Sequence, residues 1–193
     1  MIEQALTRRN CSLKVKVTVK GLISLGLAAL AVVLPQLVHL ALGQAGGVQW
    51  LPMYLPVLLA GCLLGTYWGS AVGVLSPLVS FLLTSAWGEA MPAVGRLPFM
   101  MAELAVFAAV SGAFAKKISS NAWMAFPAVL LAQVAGRSTF LLLVVIFRQF
   151  VPFTPELIWS QIRAGLLGMV LQAVVVPFLV MGLRALLERG RHD

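Results

Sequence analysis

The chain has 193 residues, of which 61% are hydrophobic and only 10% are charged, and its mean hydropathy is +0.98. A soluble domain carries about 25% charged residues, so this composition excludes a soluble globular protein, whose surface needs polar cover. The net charge of +8 does not indicate nucleic-acid binding, because ten of the fourteen basic residues lie in three short clusters. We expect an integral membrane protein that contacts lipid and has no nucleic-acid partner.

Six apolar segments follow one another along the chain. A membrane-spanning helix needs about 20 apolar residues, and no Asp, Glu, Lys or Arg occurs between Lys20 and Glu89. The predicted helices cover residues 20–42, 51–64, 70–85, 98–115, 122–147 and 156–187. We predict an all-α integral membrane fold, a six-transmembrane-helix bundle that forms one domain over residues 20–188. A basic tail, residues 1–19, precedes it and a short tail, residues 189–193, follows it.

The basic clusters predict the orientation of this bundle. They comprise the N-terminal tail through Lys20, the pair Lys116–Lys117, and Arg184, Arg189 and Arg191. With six helices, all three clusters fall on one side of the membrane, and an excess of Lys and Arg marks the cytoplasmic side. We therefore expect both termini in the cytoplasm and anionic lipid headgroups next to the basic residues.

Four charged side chains in or near the apolar segments are the main candidates for function: Glu103, Arg137, Arg148 and Arg163. A charge at the centre of a membrane helix costs about 2.5–3.5 kcal/mol on insertion scales, so such groups pair or line a cavity. In the predicted topology, Glu103, Arg137 and Arg163 all lie within about 15 Å of the outer ends of their helices, at about 1.5 Å per residue. We predict a polar pocket in the outer half of the bundle. The alternative is a structural Glu103–Arg137 or Glu103–Arg163 pair.

Weaker candidates for this pocket are polar, aromatic or sulfur-containing residues at a similar depth or on the outer loops: Gln133, Gln172, Trp50, Trp87, Met53 and Met100. The tryptophans either form an aromatic belt or stack on a flat ligand ring. The methionines can supply adaptable packing. Two arginines for one glutamate leave a positive charge free, which favours an anionic or carbonyl-rich ligand.

No pattern typical of catalysis or metal binding occurs in the chain. It has no His-Glu-x-x-His, no Gly-x-Ser-x-Gly and no paired aspartates. A phosphate-binding loop is also missing, so any energy from ATP has to come from a partner. We expect no enzyme activity, no metal and no cofactor. Two alternatives remain open: an intramembrane enzyme that uses Glu103 as acid or base, and a stand-alone small-solute transporter or channel, although no inverted repeat is visible.

Five segments, in this order and spacing, resemble the substrate-binding S components of energy-coupling factor (ECF) vitamin transporters. They are residues 51–61 (LPMYLPVLLAG), residues 69–78 (GSAVGVLSPL), residues 100–105 (MMAELA), Gly136–Arg137 and residues 171–177 (LQAVVVP). The resemblance implies a multi-pass subunit of the bacterial plasma membrane that captures a vitamin or related micronutrient from outside. It implies as partners a transmembrane T component and two cytoplasmic ATPases.

The resemblance also implies roles for particular residues. Glu103, Arg137 and Gln172 would bind the substrate, under lids formed by residues 49–53 and 87–96. Gly46 and Gly47 would make the first lid flexible. Small side chains on the first helix would dock on the T component, because close backbone approach in lipid requires small side chains. The docking candidates are Ser24, Ala28 and Ala31.

Overall fold

The computed structural model describes residues 2, 6–7, 12–88, 91–149 and 155–189. Over these residues the chain is α-helical without β-strands. The helices are α1 (Leu13–Trp50), α2 (Tyr54–Leu64), α3 (Thr66–Ala86), α4 (Leu97–Ala113), α5 (Ala115–Ser120), α6 (Ala125–Ile146), α7 (Pro155–Ala164) and α8 (Leu166–Arg189). Short 3₁₀ turns, Val94–Arg96 and Ala122–Met124, lead into α4 and α6.

Six stretches are long and apolar enough to cross a membrane, which confirms the predicted six-helix membrane architecture. They are Leu13–Gly43, Gly46–Leu64, Thr66–Ala86, Val94–Ala113, Ala122–Ile146 and Leu166–Leu186. Large apolar side chains point outward from these helices, including Leu25 and Leu40, which are 69% and 85% exposed. Lipid is the medium that can cover such a surface, so the protein is a multi-pass membrane protein.

The first helix differs from the prediction at both ends. It begins at Leu13 rather than at residue 20, and the Oγ of Ser12 caps it by accepting a hydrogen bond from the Val15 amide (3.4 Å). The helix also continues past residue 42, where the sequence predicted its end. Only Gly43 leaves helical geometry, with φ 68° and ψ −170°, and Gly46 and Gly47 are helical again. Residues 190–193 and most of residues 1–11, which belong to the predicted tails, lie outside the described residues.

The predicted sixth helix is divided at Gly165 into α7 and α8. A side chain at Gly165 would meet Leu51 Cδ1 at 2.9 Å, so glycine allows close packing at this point. The apolar span begins only at Leu166. Arg163 therefore lies before this span, on the separate helix α7, and is exposed.

The bundle is organised around α4 and α2. α4 packs against α2, α3 and α6, and a side chain at Gly73 of α3 would come within 2.5 Å of the Leu104 carbonyl oxygen. This glycine therefore lets the backbones of α3 and α4 touch. α2 is hydrophobic on all sides, a pattern typical of an enclosed helix, and every residue in it except Leu55 is buried.

The described residues of the three basic clusters lie at one end of the bundle. Arg184, near the end of α8, donates from Nη1 to the carbonyl oxygen of Ile118 (3.4 Å), beside Lys116–Lys117. At the same end, the hydroxyl of Thr66 at the start of α3 donates to the carbonyl oxygen of Ala109 near the end of α4 (3.5 Å). The start of α1 contacts the start of α3 here as well. The other end carries the C-terminal parts of α1 and α3, the start of α4, and α7.

Candidate ligand-binding cavity

A cavity of about 370 Å³ lies at the end of the bundle opposite the three basic clusters. Pockets that bind small molecules measure about 300–1,000 Å³, so the volume suits a small solute. The wall is contributed by α1, the α1–α2 break, α2, the end of α3, the loop before α4, α4, α6 and α7. Its residues are Pro35, Gln36, His39, Gly47, Val48, Leu51, Pro52, Met53, Tyr54, Ser80, Met91, Pro92, Ala93, Arg96, Met100, Arg137 and Gln161.

A buried ion pair lies at the inner side of this cavity, with Arg137 in the wall and Glu103 behind it. Arg137 Nη1 lies 2.7 Å from Glu103 Oε1, and the side chains are 14% and 0% exposed. The hydroxyl of Tyr54 donates to the other carboxylate oxygen, Oε2, at 2.7 Å. The Arg137 guanidinium also lies over the Tyr54 ring, 4.8 Å from its centroid. We call this the Tyr54–Glu103–Arg137 cluster. From the sequence, the partner of Glu103 was open between Arg137 and Arg163, and the tyrosine was not predicted.

Aromatic packing behind the cluster fixes its position. The rings of Tyr54 and Phe107 meet edge to face at a centroid distance of 5.1 Å. Phe107 in turn fills the space beside Gly136, where a side-chain carbon would come within 2.1 Å of Phe107 Cδ2. The residue next to Arg137 therefore has to be glycine for α6 to approach α4 this closely. The ion pair is satisfied only while these three helices stay in register.

Several buried nitrogen atoms around the cavity have no hydrogen-bond partner. They are Nε and Nη2 of Arg137, Nε of Arg96, Nδ1 of His39 and Nε2 of Gln36, and all four side chains line the cavity. Buried polar groups in proteins are nearly always paired, and each one left unpaired costs about 1–3 kcal/mol. Their concentration here indicates a surface built to contact a ligand rather than to pack against protein.

Hydrogen bonds hold the rim of the cavity in place on two sides. Met91 donates its amide to Thr84 Oγ1 at 2.8 Å, and its carbonyl accepts from the hydroxyls of Ser80 and Thr84, both at 3.1 Å. Arg96 Nη2 donates to Gln161 Oε1 on α7. The predicted lid at residues 87–96 is therefore anchored to α3 at one point and to α7 at another.

Two of the predicted binding residues contact other parts of the protein instead of lining the cavity. Gln172 donates from Nε2 to the carbonyls of Trp50 and Leu51, at 3.2 and 2.9 Å. These carbonyls lie at the break between α1 and α2, where Leu51 adopts a left-handed φ of 49°. Gln133 donates from Nε2 to the Met169 carbonyl at 2.9 Å and so joins α6 to α8.

The remaining predicted residues divide between the cavity and the surface. Met53 and Met100 line the cavity beside Arg137. Trp87 is 78% exposed and borders a neighbouring shallow depression. Trp50 lies outside the cavity wall. Arg163 lies 5.7 Å from the ring centroid of its neighbour Trp159, far enough out that both are exposed.

The predicted docking residues on α1 are buried to different degrees. Ala31 is 0% exposed and belongs to the hydrophobic core, and Ala28 packs against that core. The hydroxyl oxygen of Ser24 is buried without a partner. The outward face of α1 instead carries large apolar residues, including Leu22 at 65% exposed. Ala31 is thus not available to a partner in this conformation.

Several cavity residues were not singled out from the sequence: Tyr54, Gln36, Gln161 and Arg96. Tyr54 is one of only two tyrosines in the chain and the one inside an apolar run, which was a usable signal. Arg96 is one of four basic residues outside the three clusters, and it was assigned to a loop without a role of its own.

No protein family, curated protein or solved structure matches this chain. The fold and the site by themselves define a multi-pass α-helical membrane protein with a ligand-sized polar cavity at one end of its bundle.

Proposed function

We propose that this protein is the substrate-capture (S) subunit of an ECF-type importer in a bacterial plasma membrane, and that it binds a vitamin or related micronutrient. The observation that carries the proposal is the cavity with the Tyr54–Glu103–Arg137 cluster at its inner side, at the end opposite the three basic clusters. Since basic residues mark the cytoplasmic side, the cavity faces outward. Both termini are then cytoplasmic.

The proposed role is capture rather than autonomous pumping. The sequence contains no phosphate-binding loop, so a T component and two ATPases supply the energy for release. A cavity with mostly apolar walls and a few fixed polar groups suits tight binding of a small solute. Its anchored rim favours a largely preformed site, which reduces the entropy lost on binding.

The contacts of Glu103 do not favour an enzyme. Both of its carboxylate oxygens are engaged, by Tyr54 and by Arg137, and the side chain is fully buried. A general acid or base has to reach the proton that it transfers. An ion-paired carboxylate behind an arginine serves better to fix that arginine in the wall of a binding site.

The test is native mass spectrometry of the protein purified in detergent from cells grown in rich medium. We expect a bound molecule of vitamin size in the wild type and in Tyr67→Phe, since Tyr67 is 91% exposed. Tyr54→Phe is the matched variant inside the cavity and should bind less. A protein that carries no ligand and shows no thermal shift with a panel of vitamins would refute the capture role.

A second measurement separates capture from a stand-alone transporter or channel. An S component should co-purify with a T component and ATPases when the tagged chain is expressed in its own host. It should not transport the bound molecule when reconstituted alone in vesicles. Uptake by the chain alone would instead support the stand-alone alternative.

A further inference from the structure

The charge around the cavity is divided unequally between two arginines. Arg137 is already neutralised by Glu103 at 2.7 Å. Arg96 has a neutral partner, the amide oxygen of Gln161, and no carboxylate of the described residues lies within ion-pair distance of it. The described part of the wall contains no acidic side chain. The wall therefore carries one uncompensated positive charge, and it belongs to Arg96.

The unpaired hydrogen-bond donors around the cavity also favour an anionic ligand. Nε of Arg96 is buried and unpaired, as are Nε and Nη2 of Arg137. Guanidinium groups present such N–H donors in a planar fork that matches the two oxygens of a carboxylate. The wall needs acceptor atoms from its ligand, and it offers that ligand more donors than acceptors.

The broken helix adds a further positive element at the same place. α2 begins at Tyr54 in the cavity wall, and no side chain caps its first turn. The N-terminal end of a helix carries a partial positive charge and favours an anion. In membrane proteins, the ends of interrupted helices are common binding points for the charged groups of substrates.

The volume of the cavity and the apolar part of its wall limit the size and chemistry of the remainder of the ligand. About 370 Å³ holds on the order of a dozen water-sized groups at about 30 Å³ each. Much of the wall is apolar, with Met53, Met91 and Met100 among its members, so the body of the ligand is apolar or aromatic. A phosphate monoester carries about −1.5 to −2 charges, which exceeds the single free charge of the wall.

From these features, and on the basis of the proposed capture function, we infer that the ligand is a small monocarboxylate. Its charge is neutralised by Arg96, and Arg137 donates hydrogen bonds as part of the already neutral cluster. Arg96 is thus the residue that determines specificity for an anion.

The test uses ligand-free protein from cells grown in minimal medium and the small-molecule fraction of yeast extract as the probe. One half of the extract is treated with a methylating reagent that converts carboxylic acids to methyl esters. We expect a bound adduct in native mass spectra with the untreated extract and none with the esterified extract. The accurate mass of the adduct should correspond to a monocarboxylic acid.

Substitutions then test whether Arg96 carries the positive charge that binds the acid. Arg96→Gln should weaken binding of the identified acid roughly 10- to 100-fold, the effect of losing a charge-assisted contact, while Arg96→Lys should restore part of it. Arg148→Gln is the matched control, because Arg148 is exposed and lies outside the wall. This control should bind the acid like the wild type, which shows that losing a positive charge elsewhere on the protein does not weaken binding.

The outcomes distinguish this inference from the proposed function. An adduct that survives esterification, or that is neutral, cationic or a phosphate ester, overturns the carboxylate inference and leaves capture standing. Unchanged affinity in Arg96→Gln overturns the role of Arg96. No adduct from either extract overturns capture and the inference together.

Discussion

The buried pair between Glu103 and Arg137 can be tested by a double-mutant cycle. Glu103→Gln removes the charge that holds Arg137 and leaves a buried guanidinium without its counter-charge. Glu103 receives two hydrogen bonds of 2.7 Å, and a bond to a charged group contributes about 1.5–3 kcal/mol. The sum agrees with the cost of about 3–5 kcal/mol for removing one partner of a buried pair. We therefore expect each single variant, Glu103→Gln and Arg137→Gln, to be destabilised by about 3–5 kcal/mol.

The double variant should be less destabilised than the sum of the two single variants, because it leaves no unpaired charge. The assay is equilibrium unfolding in mixed micelles, followed by circular dichroism as the denaturing detergent is raised. A coupling free energy of about 2 kcal/mol or more is expected. Additive effects, to within about 0.5 kcal/mol, would refute the paired arrangement. Arg163→Gln is the control, since an exposed site should change stability by at most about 0.5 kcal/mol.

Two further predictions address the surroundings of this pair. Tyr54→Phe deletes one hydrogen bond to a buried charge and should lower the free energy of unfolding by about 1.5–3 kcal/mol. The control Tyr67→Phe should leave the free energy of unfolding nearly unchanged. Equal effects of the two substitutions would contradict the hydrogen bond from Tyr54 to Glu103. Gly136→Ala places a carbon 2.1 Å from the Phe107 ring and should cost about 1–3 kcal/mol through overpacking. Gly26→Ala, with nothing within 4 Å, should be neutral or stabilising in the same detergent-unfolding measurement. A Gly136→Ala protein as stable as Gly26→Ala would argue against the close approach of α6 and α4.

The sequence predicted those features that depend on local composition. The number of spans follows from the apolar runs, and the high cost of an unpaired charge in lipid predicts that Glu103 has a basic partner, either Arg137 or Arg163. Both were obtained without tertiary information. The predicted meeting of Arg163 with this pair depended on a continuous sixth helix, and the chain turns at Gly165 instead.

Other features depend on contacts that a sequence does not reveal. The segment after residue 42 is rich in glycine, which suggests a loop, yet Gly46 and Gly47 are helical. The backbone of Gln49 and Trp50, just beyond them, packs closely on Gly168 of α8. Gln172 has the chemistry of a ligand-binding residue, but its amide serves the backbone of Trp50 and Leu51. Which acceptor a buried amide finds is decided by the fold, so polarity at membrane depth predicts only that a partner exists.

The protein encloses α2, which separates this part of the cavity wall from the bilayer. α2 has 11 residues, about 17 Å at 1.5 Å per residue, far less than the roughly 30 Å of the hydrocarbon layer. Non-helical backbone such as that at Leu51 is tolerated at membrane depth only when protein surrounds it. Helices that face lipid respond to changes in membrane thickness by tilting, whereas α2 is enclosed by protein. Tyr54 is therefore shielded from lipid, but Arg137 lies on α6, whose Leu130 and Val134 are exposed. Changes in bilayer thickness thus reach the cluster through α6 rather than through α2.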